Sequence, residues 1–292
     1  MSVAKLPNDP NWPRANSLLK SSKTELAIIG VPASATALSP TSAHLTPAAI
    51  RVALAKYSTY AGSTDTELQT SGITDLGDVA SPDHADGEAR VAQAMRGLLD
   101  THKILLALGG DNSITYSMAA GLFPDLSKIG LLTFDAHHDL RDGVSNGSPI
   151  WRLIEAGLPG SNIVQIGLSD FANSGPYAKR AKDAGITTIH RAELRERKMS
   201  EVIAQALEIA GAGGREIYVD IDVDVCDRSV APACPASVPG GISADELRQA
   251  ANLVARDSRV RAIDVTEIDA ASDTADGRTV RLAALLVLEI AA

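Results

Sequence analysis

The chain has few aromatics: only 3% of its 292 residues are Phe, Trp or Tyr, so its core must be aliphatic, drawn from a hydrophobic fraction of 45%. Two cysteines, Cys226 and Cys234, supply no disulfide framework, and their spacing is too wide for a CxxC pair. No basic run offsets the formal net charge of −9, which argues against nucleic acid as a partner. No stretch approaches the roughly 18 uninterrupted apolar residues of a membrane span. The opening residues Met1 to Pro7 lack the apolar region of a signal peptide. Neither GxGxxG nor GxxxxGK followed by Ser or Thr is present, so no phosphate-binding loop is expected. Repeats, low-complexity tracts and linkers are also missing. The expectation is a soluble cytoplasmic protein of one domain, residues 24–292, preceded by a polar, proline-bearing arm, residues 1–23. Trp12 either anchors that arm or serves an oligomer contact.

What is present alternates. Buried strands are expected over residues 26–31, 103–108, 129–134, 162–167, 186–189, 216–225 and 260–268, with a short edge strand over 73–79. Helices are expected from Thr46-Pro47, over 87–102, 114–122, 150–156, 176–184, 200–210, 243–255 and 280–291. Thr46 reads as an N-cap with Pro47 at the first helical position, and Ser243 with Glu246 as a capping box. Strand–helix alternation predicts a mostly parallel sheet of about eight strands, covered on both faces. Residues 33–46 form a small-residue loop after the first buried strand, a plausible rim for an active site. His44 within it reads as solvated, with substrate contact as the alternative. After 103–108 come Gly109 and Gly110, where glycine lets backbone approach closely.

Chemistry concentrates at two strand ends. The run 129–134 is bare of charge until it delivers Asp135, His137 and Asp139, which share one face if strand geometry continues. Carboxylate plus imidazole suits manganese, iron, nickel or zinc, because Ca²⁺ and Mg²⁺ prefer all-oxygen shells. A polar strand end with solvated acids is the competing reading. The second strand, 216–225, alternates apolar residues with Asp220, Asp222 and Asp224. Like charges on one packed face raise one another's pKa unless cations neutralise them. A pair of divalent ions, roughly 3.5–4 Å apart in hydrolytic enzymes, would do so.

These motifs, in this order, resemble the ureohydrolase superfamily of arginases, agmatinases and formiminoglutamases. Gly109-Gly110-Asp111-Asn112-Ser113 is similar to GGDHS, and Asp135-Ala136-His137-His138-Asp139 to DAHxD. Asp222-Val223-Asp224-Val225-Cys226-Asp227, with Pro232 ten residues after Asp222, is similar to DxDxxD…P. Lesser landmarks are the segments 46–51 and 75–78, and Glu267 with Asp273. The resemblance implies an arginase-like three-layer α/β/α domain holding two Mn²⁺. Asp135 and Asp222 would bridge both ions; Asp139 and Asn112 would complete one shell, His137 and Asp224 the other. Asp139 would also move the proton to the leaving amine, and Glu267 would hold the cationic nitrogens of an amidine or guanidino substrate. The same resemblance makes Asp220 and Asp227 supporting acids, turns His138 away from the metals, and implies a homo-oligomer, trimer or hexamer.

Three departures refine this. Asn112 replaces the usual His, a harder and weaker ligand, so one ion would be loosely held or be another metal such as Ni²⁺. Arg228 replaces a proline after Asp227. The loop Ser145-Asn146-Gly147-Ser148-Pro149 lacks the shuttle histidine of arginases and agmatinases and is similar to the loop of formiminoglutamases, as is Arg141 after DAHxD. Arg141 suits a substrate carboxylate by bidentate pairing, with a surface salt bridge as the alternative. Arg141, Asn146, Ser148 and Glu267 are the expected substrate contacts, and N-formimino-L-glutamate, hydrolysed to glutamate and formamide, the expected substrate. The alternatives are a guanidino substrate releasing urea, as in agmatinase, guanidinobutyrase or arginase, and a non-catalytic paralogue.

Overall fold

The computed structural model describes residues 9–20, 22–69 and 71–292; residues 1–8 of the expected arm lie outside the described residues. The N-terminal half runs β1 (Leu19–Lys20), β2 (Leu26–Val31), α1 (Thr46–Leu54), a small hairpin β3 (Tyr60–Ala61) and β4 (Thr66–Glu67), β5 (Ile73–Asp78), α2 (Gly87–Met95), β6 (Ile104–Gly109), α3 (Ile114–Leu122) and β7 (Ile129–Phe134). It continues with α4 (Pro149–Glu155), β8 (Ile163–Leu168), α5 (Gly175–Ala184), β9 (Thr187–His190), α6 (Met199–Ala210), β10 (Glu216–Asp222), α7 (Ala244–Ala255), β11 (Val260–Thr266) and α8 (Arg278–Ala291).

Nine strands form one sheet in the order β1-β5-β2-β6-β11-β10-β7-β8-β9, every neighbouring pair parallel. Each strand's alternate residues feed two separate cores. Leu132 and Phe134 of β7 pack with α1, α6, α7 and α8 on one face. Leu131 of β7 and Tyr218 of β10 pack with α2, α3, α4 and α5 on the other. Both strand faces are buried, which is why these strands read as continuous aliphatic runs. The result is the expected α/β architecture in three layers.

Several local expectations are corrected. The ninth strand, β1, comes from the segment read as an arm; Ala15 and Leu18 beside it are buried, and Leu19 pairs with Ile73. Consequently β5 is covered by a two-residue strand rather than lying at the edge. The helix expected over 87–102 ends at Met95, because Gly97 at φ +74° turns the chain into a short 3₁₀ segment, Leu98–Asp100. Thr46 does not cap α1; it lies inside the helix and donates its hydroxyl to the carbonyl of Ile268. The expected capping box does form, with the Glu246 amide on Ser243 Oγ and the Ser243 amide on Glu246 Oε2. The acidic strand stops at Asp222, and Val223–Val225 is a 3₁₀ turn. Four central neighbours, β6, β11, β10 and β7, open at their C-terminal ends onto one edge, where parallel sheets place their ligands.

Candidate metal centre

The centre is built where those four strands stop. Directly after β7, Asp135 and Ala136 stay tied to β8 through Asp135 N to Ile166 O at 3.0 Å and Ser169 N to Ala136 O at 3.0 Å. The chain then leaves strand geometry, and Asp139 has φ +53°. The expected same-face alternation through Asp139 is therefore replaced by a left-handed residue, a conformation costly outside glycine and found at functional sites. Glu267, after β11, is likewise left-handed at φ +66°. Asp222 closes β10, and the following turn brings Asp224 back beside it, the Asp224 amide donating to Asp222 Oδ1 at 2.8 Å. Asp224 thus reaches the centre from a turn, not from the strand face.

Ligand atoms of Asp135, His137 and Asp224 lie within 4.8 Å of one another. His137 Nδ1 is 2.7 Å from Asp224 Oδ2 and 3.4 Å from Asp135 Oδ1. Asp135, Asp139, Asp222, Asp224 and Glu267 are all buried. Oδ2 of Asp135 has no hydrogen-bond partner among the described residues. Burial, reinforced by the neighbouring carboxylates, pushes Asp135 and Asp222 well above the usual carboxylate range. It raises Asp139 to about 7 and Glu267 to about 8. Burial alone would lower His137, but Asp224, Asp139 and Glu267 raise it to about 9. Only Asp224 is lowered against its own burial, by His137. So much convergent negative charge, with an orphaned carboxylate oxygen, fits a site built for cations.

Asn112 reaches the centre in an unexpected orientation. Its Nδ2 donates to Asp139 Oδ2 at 2.7 Å, and its Oδ1 accepts from Thr266 Oγ1 at 2.9 Å and Thr115 Oγ1 at 3.1 Å. In this arrangement its nitrogen holds Asp139 and its oxygen faces the two threonines. Ser148 is also corrected. It is buried at the start of α4, where its hydroxyl donates to Ser145 O at 2.8 Å and accepts from Ser145 N at 2.9 Å, and it does not line the cavity. Asp227 binds Ser229 and the Gly240 amide and only braces its loop, as does Arg228 through the carbonyls of Cys234 and Ser237. Asp220 is fully buried below the centre, level with Asp264 of β11, and Asp273 accepts from the Val280 amide at the start of α8. His138 Nδ1 pairs with Gln165 at 2.7 Å. His44 Nδ1 lies 3.4 Å from Ser34 Oγ.

A cavity of about 240 Å³ leads to the centre, lined by His137, Asp139, Arg141, Asn146, Asp222, Asp224 and Glu267. Leu38 and Ser39 of the 33–46 loop form one wall, Asn173, Ser174 and Tyr177 another. Gly110 must be glycine for that loop to come near: a Cβ there would lie 2.0 Å from Ala33 O. Thr115, Thr266 and Tyr177 were missed from sequence. Thr266 alone had a signal, alternating with Asp264 just before Glu267. Arg141 stands 6.0 Å from the Tyr177 ring centre and forms no ion pair among the described residues. Its neighbour Arg180, by contrast, binds Asp142 at 2.8 Å and the Leu140 carbonyl at 2.7 Å.

Comparison with known proteins follows the same geometry. The Arginase family pattern matches residues 24–292. Formimidoylglutamase of Halalkalibacterium halodurans is 35% identical over 270 residues, covering 89% of this chain and 84% of that protein. The Bacillus subtilis formimidoylglutamase is 34% identical over 271 residues, 90% and 85%. A B. subtilis formimidoylglutamase crystal structure superposes with a TM-score of 0.91 at 30% identity, covering 100% of this chain and 94% of that one. A Trypanosoma cruzi formiminoglutamase with Mn²⁺ superposes with a TM-score of 0.86 at 21% identity, covering 96% and 97%, a likeness of fold. The chain belongs to the arginase family.

Proposed function

We propose that the protein hydrolyses the C–N bond of N-formimino-L-glutamate, releasing L-glutamate and formamide. The observation that carries this reading is Arg141, a cation at the cavity wall that forms no ion pair among the described residues and whose charge reaches the Asp139 carboxylate. A substrate that keeps an amino-acid carboxylate would answer it by bidentate pairing, which decarboxylated agmatine cannot. The 34–35% identity to two formimidoylglutamases supports the same substrate.

Asp135, His137, Asp139, Asp222 and Asp224 would hold two divalent cations, manganese by the donor set of carboxylates and imidazole. When bound, such a pair supplies the charge that ionises water near neutral pH and polarises the amidine. Asp139 takes up a proton at its centre-facing carboxylate and returns it to the departing amine nitrogen, its orientation held by Asn112. Glu267 accepts from the Asn112 amide at 2.7 Å and Asn146 Nδ2 at 2.8 Å, both at Oε1, leaving Oε2 for the amidinium. Leu38, Ala172, Pro235 and Ala236 line the apolar part of the cavity and restrict water. A cytoplasmic homo-oligomer belongs to the same proposal, and light scattering on the purified protein would check the assembly.

The test is a product assay on Mn²⁺-loaded protein, offered formiminoglutamate and a panel of guanidino compounds in parallel. Formamide with glutamate is the expected result. Urea would overturn the substrate assignment while keeping the metal centre, and silence on both with fewer than two ions per chain would favour a non-catalytic paralogue.

A further inference from the structure

We propose that Asn146 is a positioning residue that ties closure of the 33–40 strap to the orientation of Glu267, rather than a substrate contact. Both ends of its amide are occupied. Nδ2 donates to Glu267 Oε1 at 2.8 Å, and Oδ1 accepts from the Leu38 amide at 3.0 Å. Its own amide donates to Thr36 O at 3.2 Å. One side chain therefore bridges the strap, which walls the cavity with Leu38 and Ser39, and the carboxylate that faces the amidinium.

The neighbouring residue completes the seam. A Cβ on Gly147 would lie 2.8 Å from Arg141 Cδ and 3.1 Å from Leu38 Cδ1, so the strap and Arg141 close down on bare backbone there. Among the described residues, the Glu267 carboxylate accepts from two donors, the Asn112 backbone amide and Asn146 Nδ2. The Glu267 backbone is left-handed, a strained conformation that persists only where the surroundings hold it. Truncating the Asn146 side chain removes one of those donors and the Leu38 tie together, while the backbone bond to Thr36 remains. Outer partners of this kind typically cost roughly 10–100-fold when lost. Because the proposal rests on Glu267 as the amidinium anchor, its test needs an arm that does not depend on substrate identity.

That arm is amide hydrogen exchange on Asn146→Ala. Exchange should accelerate at Leu38, which loses its acceptor, and at Asn112, whose amide is read by Glu267. Asn146→Asp keeps the Leu38 acceptor and should accelerate Asn112 alone. Kinetically, with whichever amidine the wild type turns over, Asn146→Ala should raise KM about 10-fold or more with metal content unchanged. In a Glu267→Gln background the same change should cost less than about twofold, since both act through one carboxylate. An Asn146→Ala protein with unaltered exchange at Asn112, or a full additive loss beside Glu267→Gln, overturns the coupling. Urea as the wild-type product overturns only the substrate assignment.

Discussion

Asn112 Nδ2 donates to Asp139 Oδ2 at 2.7 Å, and two threonine hydroxyls hold the other end of the same amide. Position 112 is thus in direct contact with Asp139. Asn112→Ala is expected to lower kcat/KM roughly 10–100-fold, the usual range for losing a partner behind a ligand. Thr266→Val should follow in the same direction more weakly, and Thr266→Ser should restore activity. Steady-state kinetics with metal analysis would check this; unchanged kcat/KM in Asn112→Ala would refute it.

The metal-free protein should lose stability as pH rises. Folding raises the pKa of Asp135 and Asp222 well above their ordinary value, Asp139 to about 7 and Glu267 to about 8. A carboxyl that binds its proton more tightly when folded stabilises the fold below its unfolded pKa, and that contribution is lost as pH climbs through the folded one. His137, raised to about 9, acts in the same direction. Asp224 is lowered, so its opposite contribution is lost only as pH falls below the ordinary carboxylate value. Thermal unfolding of chelator-treated protein should move to lower temperature from about pH 5 to about pH 8, and Mn²⁺ should raise Tm more at the alkaline end. A flat or rising Tm without metal would contradict the reading.

Arg141 should govern substrate affinity. A hydrogen bond to a charged group contributes about 1.5–3 kcal/mol, so Arg141→Ala should raise KM for formiminoglutamate roughly 10–150-fold with metal content unchanged. Lysine should rescue only in part, because it lacks the planar fork. Gly147→Ala should give a milder version, since the new Cβ would displace Arg141 Cδ from 2.8 Å. Equal KM values for wild type and Arg141→Ala would remove the carboxylate role.

Outside the cavity lining, Ser243 provides a control on the fold. Its hydroxyl caps α7 and Glu246 returns the bond. Ser243→Ala should cost about 1 kcal/mol in denaturant unfolding and leave kcat/KM unchanged.

Sequence by itself determined the layered α/β architecture, because apolar runs such as Ile129–Phe134 buried on both faces have few other homes, and alternating helices force parallel crossovers. It also pointed to the two acids and the imidazole that converge, since Asp135, His137 and Asp224 lie within three residues of the ends of two central strands. Local signals failed where distant backbone intervened. Thr46 gave up its capping role to the Ile268 carbonyl, and Gly97 broke a helix that periodicity alone carried to residue 102.

Tertiary structure decided what each side chain does at the site. Asn112 turns its nitrogen to the Asp139 carboxylate, which can only accept, while Thr115 and Thr266 meet its oxygen from α3 and β11. Arg141 lines the cavity while Arg180 pairs with Asp142. Asn146 meets Glu267 across 121 residues of chain and Leu38 across 108. Hydrogen bonds are directional and short-ranged, so partners that far apart in sequence meet only once the sheet and its loops have closed.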